Sequence, residues 1–226
     1  MDPSTIKELA RESGGKVPDG RFGWKATEPT IRGQILKAFA LDLGVRNVNL
    51  PFIDRMEEYI RGIGLPIRRH PTAQANQQPN VGLRLPDTDT ITDPDILDGE
   101  AAFVDSACAS CHVAELQTAD DYPIAQFRNI TIRPFTDLPL WNMGPALCAD
   151  RDEGSADRCE WRTAPLWGLR LQQQVSGHST FLHNGRATTL DKAIRLHGGD
   201  AQAARDAYAN LSASRRMNLL LYSMSL

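Results

Sequence analysis

The chain has 226 residues, of which 41% are hydrophobic and 23% are charged, and its formal net charge at pH 7 is −3. This composition is ordinary for a globular protein large enough to enclose a core, and the near balance of charges gives no indication of a nucleic-acid partner. No run of residues approaches the roughly 20 apolar residues that a membrane-spanning helix needs.

Hydrophobic periodicity and helix-boundary residues predict a mainly helical chain. The expected helices lie near residues 30–43, 52–63, 95–107, 189–197 and 213–224. Ser212 is expected to be the N-cap of the last helix. Residues 66–94 are rich in Pro, Asn, Gln, Asp and Thr and are predicted to form a long irregular connector. Residues 113–188 are also rich in turn formers, so long loops are expected there.

The most informative motif is Cys108-Ala-Ser-Cys-His112. Two thiols at this spacing can each add to a vinyl group of one haem, and the histidine that follows can then bind the iron. A redox Cys-x-x-Cys is the alternative, but it would require a βαβ context that is not apparent nearby. The sequence therefore predicts one covalent haem c held by Cys108, Cys111 and His112.

Haem c attachment normally takes place on the outer face of a bacterial or organellar membrane, so we expect a periplasmic or otherwise exported protein. Residues 1–15 are polar and lack the apolar region of a signal peptide, which favours a processed chain or a piece of a longer one. Cys148 and Cys159 flank a polar loop. In an oxidising compartment they could form a disulfide worth about 2–3 kcal/mol, and two free thiols are the alternative.

The sixth iron ligand decides the chemistry, because a thioether or imidazole closes the iron, whereas an open site binds small molecules. Met143 lies in an irregular segment and no helical stripe explains it, so it is the favoured ligand. His178 and His183 are alternatives, and an open site is a third. His197 is expected only to serve the end of a helix, where a histidine interacts favourably with the helix dipole.

Two segments of the chain are weakly similar. Residues 22–35 and 181–194 align without gaps, with Phe22 opposite Phe181, and only the second copy follows a Cys-x-x-Cys-His. This predicts a cytochrome c-like haem domain with long irregular loops, preceded by a partial helical repeat of a second such domain. The expected divisions are a haem-less helical segment over 1–65, the connector over 66–94 and the c-type haem domain over 95–226.

Three motifs resemble, in the same order, the C-terminal half of bacterial di-haem oxidoreductases. They are Arg162-Thr-Ala-Pro-Leu-Trp-Gly-Leu169, Phe181-Leu-His-Asn-Gly-Arg-Ala187 and Leu196-His-Gly-Gly-Asp200. A fourth motif, Gly20-Arg-Phe-Gly-Trp-Lys-Ala26, resembles the segment after the first haem of these proteins. The similarity is to the thiol oxidoreductase branch of the di-haem cytochrome c peroxidase and MauG-like superfamily. It implies that Cys108 and Cys111 carry the second haem of a two-haem design, with His112 as its proximal ligand.

The resemblance also bears on the distal side of the haem. The peroxidases have a Met ligand at the position of Leu182, and leucine cannot bind iron. This departure favours Met143, whose Asn-Met-Gly surroundings match a family motif. The resemblance places His183 and Arg186 near the haem edge or propionates, and a turn-stabilising pair is the alternative.

The predicted function is that of a c-type haem electron-transfer protein with a redox partner protein, resembling the electron-transfer half of a di-haem peroxidase-like oxidoreductase. In that superfamily the peroxide-binding haem and its acid–base residues belong to the N-terminal domain, so no catalytic residue is assigned here. Two alternatives stay open. One is a peroxidase-like enzyme with an open distal site that uses His178 or His183 as acid–base group. The other is a haem-bearing accessory subunit of a larger redox complex.

Overall fold

A computed structural model describes residues 3–64 and 93–226, so almost all of the predicted connector over 66–94 lies outside the described residues. The helices of this part are α1 (Pro3–Ser13), α2 (Ile31–Leu41), α3 (Leu50–Arg61), α4 (Pro94–Asp105), α5 (Gln172–Ser176), α6 (Leu190–Arg195), α7 (Gln202–Asn210) and α8 (Ala213–Ser225). Two antiparallel ladders pair β1 (Leu116–Gln117) with β2 (Thr131–Ile132), and β3 (Leu140–Asn142) with β4 (Glu160–Arg162). The chain is mainly α, as the sequence predicts. None of the described helices is long and apolar enough to cross a membrane.

Side-chain caps set the starts of the helices that the sequence predicts. Thr30 accepts a hydrogen bond from the backbone N–H of Gly33 at α2, and Ser212 accepts one from Arg215 at α8. Asn49, Asp93 and Thr189 cap α3, α4 and α6 in the same way. The predicted N-cap Ser212 is therefore confirmed. Helices α1, α5 and α7 are not indicated by the pattern, because they are short or largely polar.

The largest core cluster is built where α4 meets α8. Its buried residues are Ile96, Ala102, Phe103, Phe135, Tyr208, Leu219, Tyr222 and Leu226. At the crossing, a Cβ built on Gly99 would lie only 2.0 Å from the backbone oxygen of Asn218, so the two backbones are in close contact there. Cys108 and Ala109 pack against this core. The core therefore positions the Cys-x-x-Cys-His motif, which follows α4.

Residues before α2 pack against the β3–β4 ladder. Lys16 forms an isolated antiparallel bridge with Leu140, and the backbone N–H of Arg162 donates to the backbone oxygen of Trp24 at 3.0 Å. Lys25, only 4% exposed, donates to backbone oxygens of three residues around β4. The domain division remains a prediction, although residues before 30 and after 139 share this interface.

Both segments of the faint repeat adopt the same local geometry. Each forms an isolated antiparallel bridge, between Phe22 and Glu28 in the first and between Phe181 and Ala187 in the second. Equivalent positions within the two bridges have positive φ; they are Gly23 and Leu182, and Ala26 and Gly185. A threonine-capped helix then follows in each copy, α2 in the first and α6 in the second. The two segments thus share a turn and a helix start.

Candidate haem site

The Cys108–His112 motif leaves α4 through a sharp turn. Ala107 has a left-handed backbone with φ of 58°, and residues 108–110 form one turn of 3-10 helix. The backbone N–H of His112 donates to the oxygen of Cys108 at 3.0 Å. This hydrogen bond folds the histidine back over the first cysteine, so one short turn presents both thiols and the imidazole.

The two thiols of the motif are half-buried and are not joined by a disulfide. Burial raises the pKa of Cys108 to about 11 and that of Cys111 to about 12. The negative charges of Asp137 and Asp200 raise the pKa of Cys111 further. A redox-active cysteine needs a lowered pKa to supply thiolate. The redox Cys-x-x-Cys alternative therefore has no support from the surroundings of these thiols.

The imidazole of His112 is held in a defined orientation. Its Nδ1 lies 2.9 Å from the backbone oxygen of Phe135, and its ring lies 6.3 Å from that of Phe103, measured between centroids. Burial lowers the pKa of His112 to about 4, while the hydrogen bond to Phe135 acts in the opposite direction. The ring is thus neutral with Nδ1–H donated to a carbonyl, which is the form in which histidine binds a metal through Nε2.

These three residues fit a covalently attached haem. Two free thiols and a neutral, oriented imidazole lie together beside an apolar core that contains Phe103 and Phe135. Cys108 and Cys111 would hold the ring, and His112 would bind its iron.

Met143 lies directly after β3, in a segment held by backbone contacts. Its N–H donates to the oxygen of Cys159 at 2.9 Å, and its own carbonyl oxygen would lie 3.1 Å from a Cβ built on Gly198. Cys159 forms a disulfide with Cys148, which closes the loop between β3 and β4. Met143 is therefore anchored close to Gly198, and its role as iron ligand stays a prediction.

His183 lies against β4, and Arg186 lies against the loop that precedes β4. The His183 ring stacks on Trp161 with centroids 3.3 Å apart, and the Lys25 ammonium lies 3.6 Å from the centre of the Trp161 ring. Burial, followed by the charges of Lys25 and Arg186, lowers the pKa of His183 to about 4. The guanidinium of Arg186 donates to the backbone oxygen of Ala146. These contacts agree with a role in stabilising the turn.

His178 is exposed, and its Nδ1 lies 3.5 Å from the hydroxyl of Thr180. In the described part of the chain, no hydrogen bond, ion pair or ring contact joins His178, His183 or Arg186 to the Cys108–His112 motif. Their predicted places at the haem remain predictions.

The sequence pattern predicts His197 only at a helix end and does not predict that it lies close to the Cys108–His112 motif. Its Nδ1 lies 2.8 Å from the oxygen of Ala193, and burial lowers its pKa. An electrostatic effect of His197 also lowers the pKa of His112, so His197 belongs to the electrostatic surroundings of His112. The sequence feature that could have indicated this position is the motif Leu196-His-Gly-Gly-Asp200, because its two glycines allow close approach of another backbone segment.

A family model described as "Di-haem oxidoreductase, putative peroxidase" matches residues 78–226. Comparison with curated proteins and comparison with solved structures give no match. The matched range contains the Cys108–His112 turn, the anchored Met143 segment and His197, and it covers more than half of the chain. The chain therefore belongs to the family of di-haem oxidoreductases.

Proposed function

We propose that this chain carries one covalent haem c and transfers single electrons, as the electron-transfer half of a di-haem oxidoreductase. The observation that carries the proposal is the arrangement of His112, whose Nδ1 is fixed by the Phe135 carbonyl at 2.9 Å while two unpaired thiols lie in the same turn. Membership of the family supports a haem redox role.

Each residue of the turn has a distinct task in this proposal. Cys108 and Cys111 form the thioethers that fix the ring, and His112 binds the iron through Nε2. The Phe135 carbonyl accepts the Nδ1 proton, which keeps the Nε2 lone pair available and sets the plane of the imidazole. The bound haem supplies a one-electron redox centre. The core around Phe103 shields this side of the site from water, which tunes the redox potential.

Two further proposals concern context. The shared bridge, the positive φ angles and the capped helix of residues 22–35 and 181–194 support a partial cytochrome c-like repeat in the first part of the chain. The disulfide between Cys148 and Cys159 supports a periplasmic or otherwise exported location, since disulfides persist in oxidising compartments. A redox partner protein would deliver or accept the electron.

Covalent haem attachment is tested by exporting the full chain to the periplasm of bacteria that attach haem c there. We expect one haem per chain that stays bound after denaturation, shown by the pyridine haemochrome spectrum. Cys108→Ser/Cys111→Ser should lose it, because no thiol remains to form a thioether. Cys148→Ser/Cys159→Ser is the matched control and should keep it. A haem that denaturation releases from the wild type would contradict covalent attachment.

Electron transfer is tested with the same protein. We expect reversible one-electron reduction and no rapid reaction of the reduced protein with hydrogen peroxide. A fast spectral change on adding peroxide would contradict this proposal and favour the peroxidase-like alternative with an open distal site.

A further inference from the structure

The imidazoles of His112 and His197 are held in the same way. Nδ1 of His112 lies 2.9 Å from the Phe135 oxygen, and Nδ1 of His197 lies 2.8 Å from the Ala193 oxygen. A neutral imidazole that donates from Nδ1 carries its lone pair on Nε2. Within residues 3–64 and 93–226, neither Nε2 has a hydrogen-bond partner. Both rings are thus prepared to bind a metal through Nε2.

Helix α6 places His197 near the turn formed by residues 108–112, called the haem turn below. Ile194 of α6 packs against the same core cluster as Cys108 and Ala109. The backbone N–H of His197 donates to the Ile194 oxygen at 3.1 Å, so the helical turn continues, and residues three apart lie on one face of a helix. His197 is in the electrostatic surroundings of His112, and Asp200 is in those of Cys111. The end of α6 therefore lies close to the Cys-x-x-Cys-His motif.

The backbone after His197 is held firmly. A Cβ on Gly199 would lie 2.2 Å from the Asn142 oxygen, so only glycine allows the close approach of these two segments. The backbone N–H of Asn142 donates to the Asp200 carboxylate at 2.8 Å. The hydrogen bond to Ala193 fixes the ring, and the contacts of Gly199 fix the chain that carries it. A ligand with this support needs little reorganisation to bind iron.

We propose that His197 is the sixth ligand of the haem iron, opposite His112. This proposal rests on the proposed function, because it requires haem at Cys108 and Cys111. When the gapless alignment of the two copies is extended by three residues, Ala38 stands opposite His197, so only the copy that follows the haem motif has an imidazole at this position. Capping α6 through Nδ1 and binding iron through Nε2 are compatible. A second imidazole closes the iron and suits electron transfer.

The test compares the haem-loaded full chain with two substitutions of His197. The wild type should be low-spin and six-coordinate, without the near-infrared charge-transfer band of a thioether–iron bond. His197→Ala should lose the low-spin spectrum, and added imidazole should restore it by filling the vacated position. His197→Met should gain the thioether band and shift the midpoint potential upward, because methionine ligation raises it. A lost helix cap produces neither effect, and far-ultraviolet circular dichroism checks folding.

Met143→Leu separates the two candidate ligands, because it should leave the spectrum unchanged if His197 and not Met143 binds the iron. A thioether band in the wild type that Met143→Leu removes would overturn the proposal in favour of Met143. A His197→Ala protein that stays low-spin, or a high-spin wild type, would also overturn it. If the wild type holds no covalent haem, the proposed function itself fails. The pyridine haemochrome spectrum separates that outcome from attached haem with another distal ligand.

Discussion

Asp137 is a buried carboxyl group beside the haem turn. Its Oδ2 accepts a hydrogen bond from the indole N–H of Trp141 at 3.1 Å, and its charge raises the pKa of Cys111. Burial raises the pKa of Asp137 to about 6, against the opposing effect of the hydrogen bond from Trp141. The carboxyl group therefore titrates at mildly acidic pH, well above the range of an exposed aspartate.

This burial makes stability depend on pH. The unfolded-state pKa is about 3.9, so between about pH 4 and pH 6 the folded state binds more protons and stability falls as pH rises. Asp137→Asn should remove about 2–3 kcal/mol of that fall, which is the free-energy equivalent of the pKa difference. Denaturant unfolding of the wild type and Asp137→Asn at pH 4 and pH 7 measures this change in the free energy of unfolding. Asp121→Asn, at an exposed turn, is the control. The same pH dependence in wild type and Asp137→Asn would contradict the expectation.

The contact between α4 and α8 is the element that supports the haem turn. Polar contacts surround the crossing at Gly99. Asn218 donates to Asp98 at 2.9 Å, and the Tyr222 hydroxyl donates to Glu100 at 3.2 Å. The absence of a side chain on Gly99 lets the two backbones approach, since an added Cβ would collide with the Asn218 oxygen.

Gly99→Ala should therefore destabilise the protein, even though alanine favours a helix by about 1 kcal/mol. Forcing the helices apart should cost about 1–3 kcal/mol, as overpacking of a core does, and the helix preference of alanine offsets only part of this cost. Denaturant unfolding measures the loss. Gly64→Ala is the matched control, because no heavy atom lies within 4 Å of a Cβ built there. Equal stability of Gly99→Ala and the wild type would show that α4 and α8 can separate without cost.

At the scale of the whole molecule, α2 and α3 leave large apolar side chains exposed. They include Leu41, Leu50, Phe52 and Tyr59. Contiguous exposed apolar residues often mark an interaction site. These exposed side chains favour the alternative in which this chain is the accessory subunit of a larger redox complex.

If that alternative holds, the purified chain alone should self-associate, because this surface lacks its partner. Analytical ultracentrifugation should then show species above the 25.0 kDa of one chain. Phe52→Ser/Tyr59→Ser should return the protein to a monomer, whereas Val175→Ser, on α5, should not. A folded, monomeric wild type would contradict obligate association.

The sequence by itself determined the features that depend on neighbouring residues. The Cys108–His112 motif is recognisable because thioether attachment and iron binding require a fixed local spacing. The predicted start of α8 at Ser212 is correct because an N-cap bonds to the backbone only two or three residues away. The family is also readable in the chain, since its motifs are short and follow one another in order.

Only the tertiary structure decided which distant residues meet the haem turn. His197 looks from the sequence like the end of a helix. It lies near the 108–112 turn because Ile194 joins the core beside Cys108, and because Gly198 and Gly199 pack against the Asn142–Gly144 backbone. Asp137 likewise gains its raised pKa from burial. Burial and long-range backbone contact arise from the packing of whole elements, and no local spacing in the sequence encodes them.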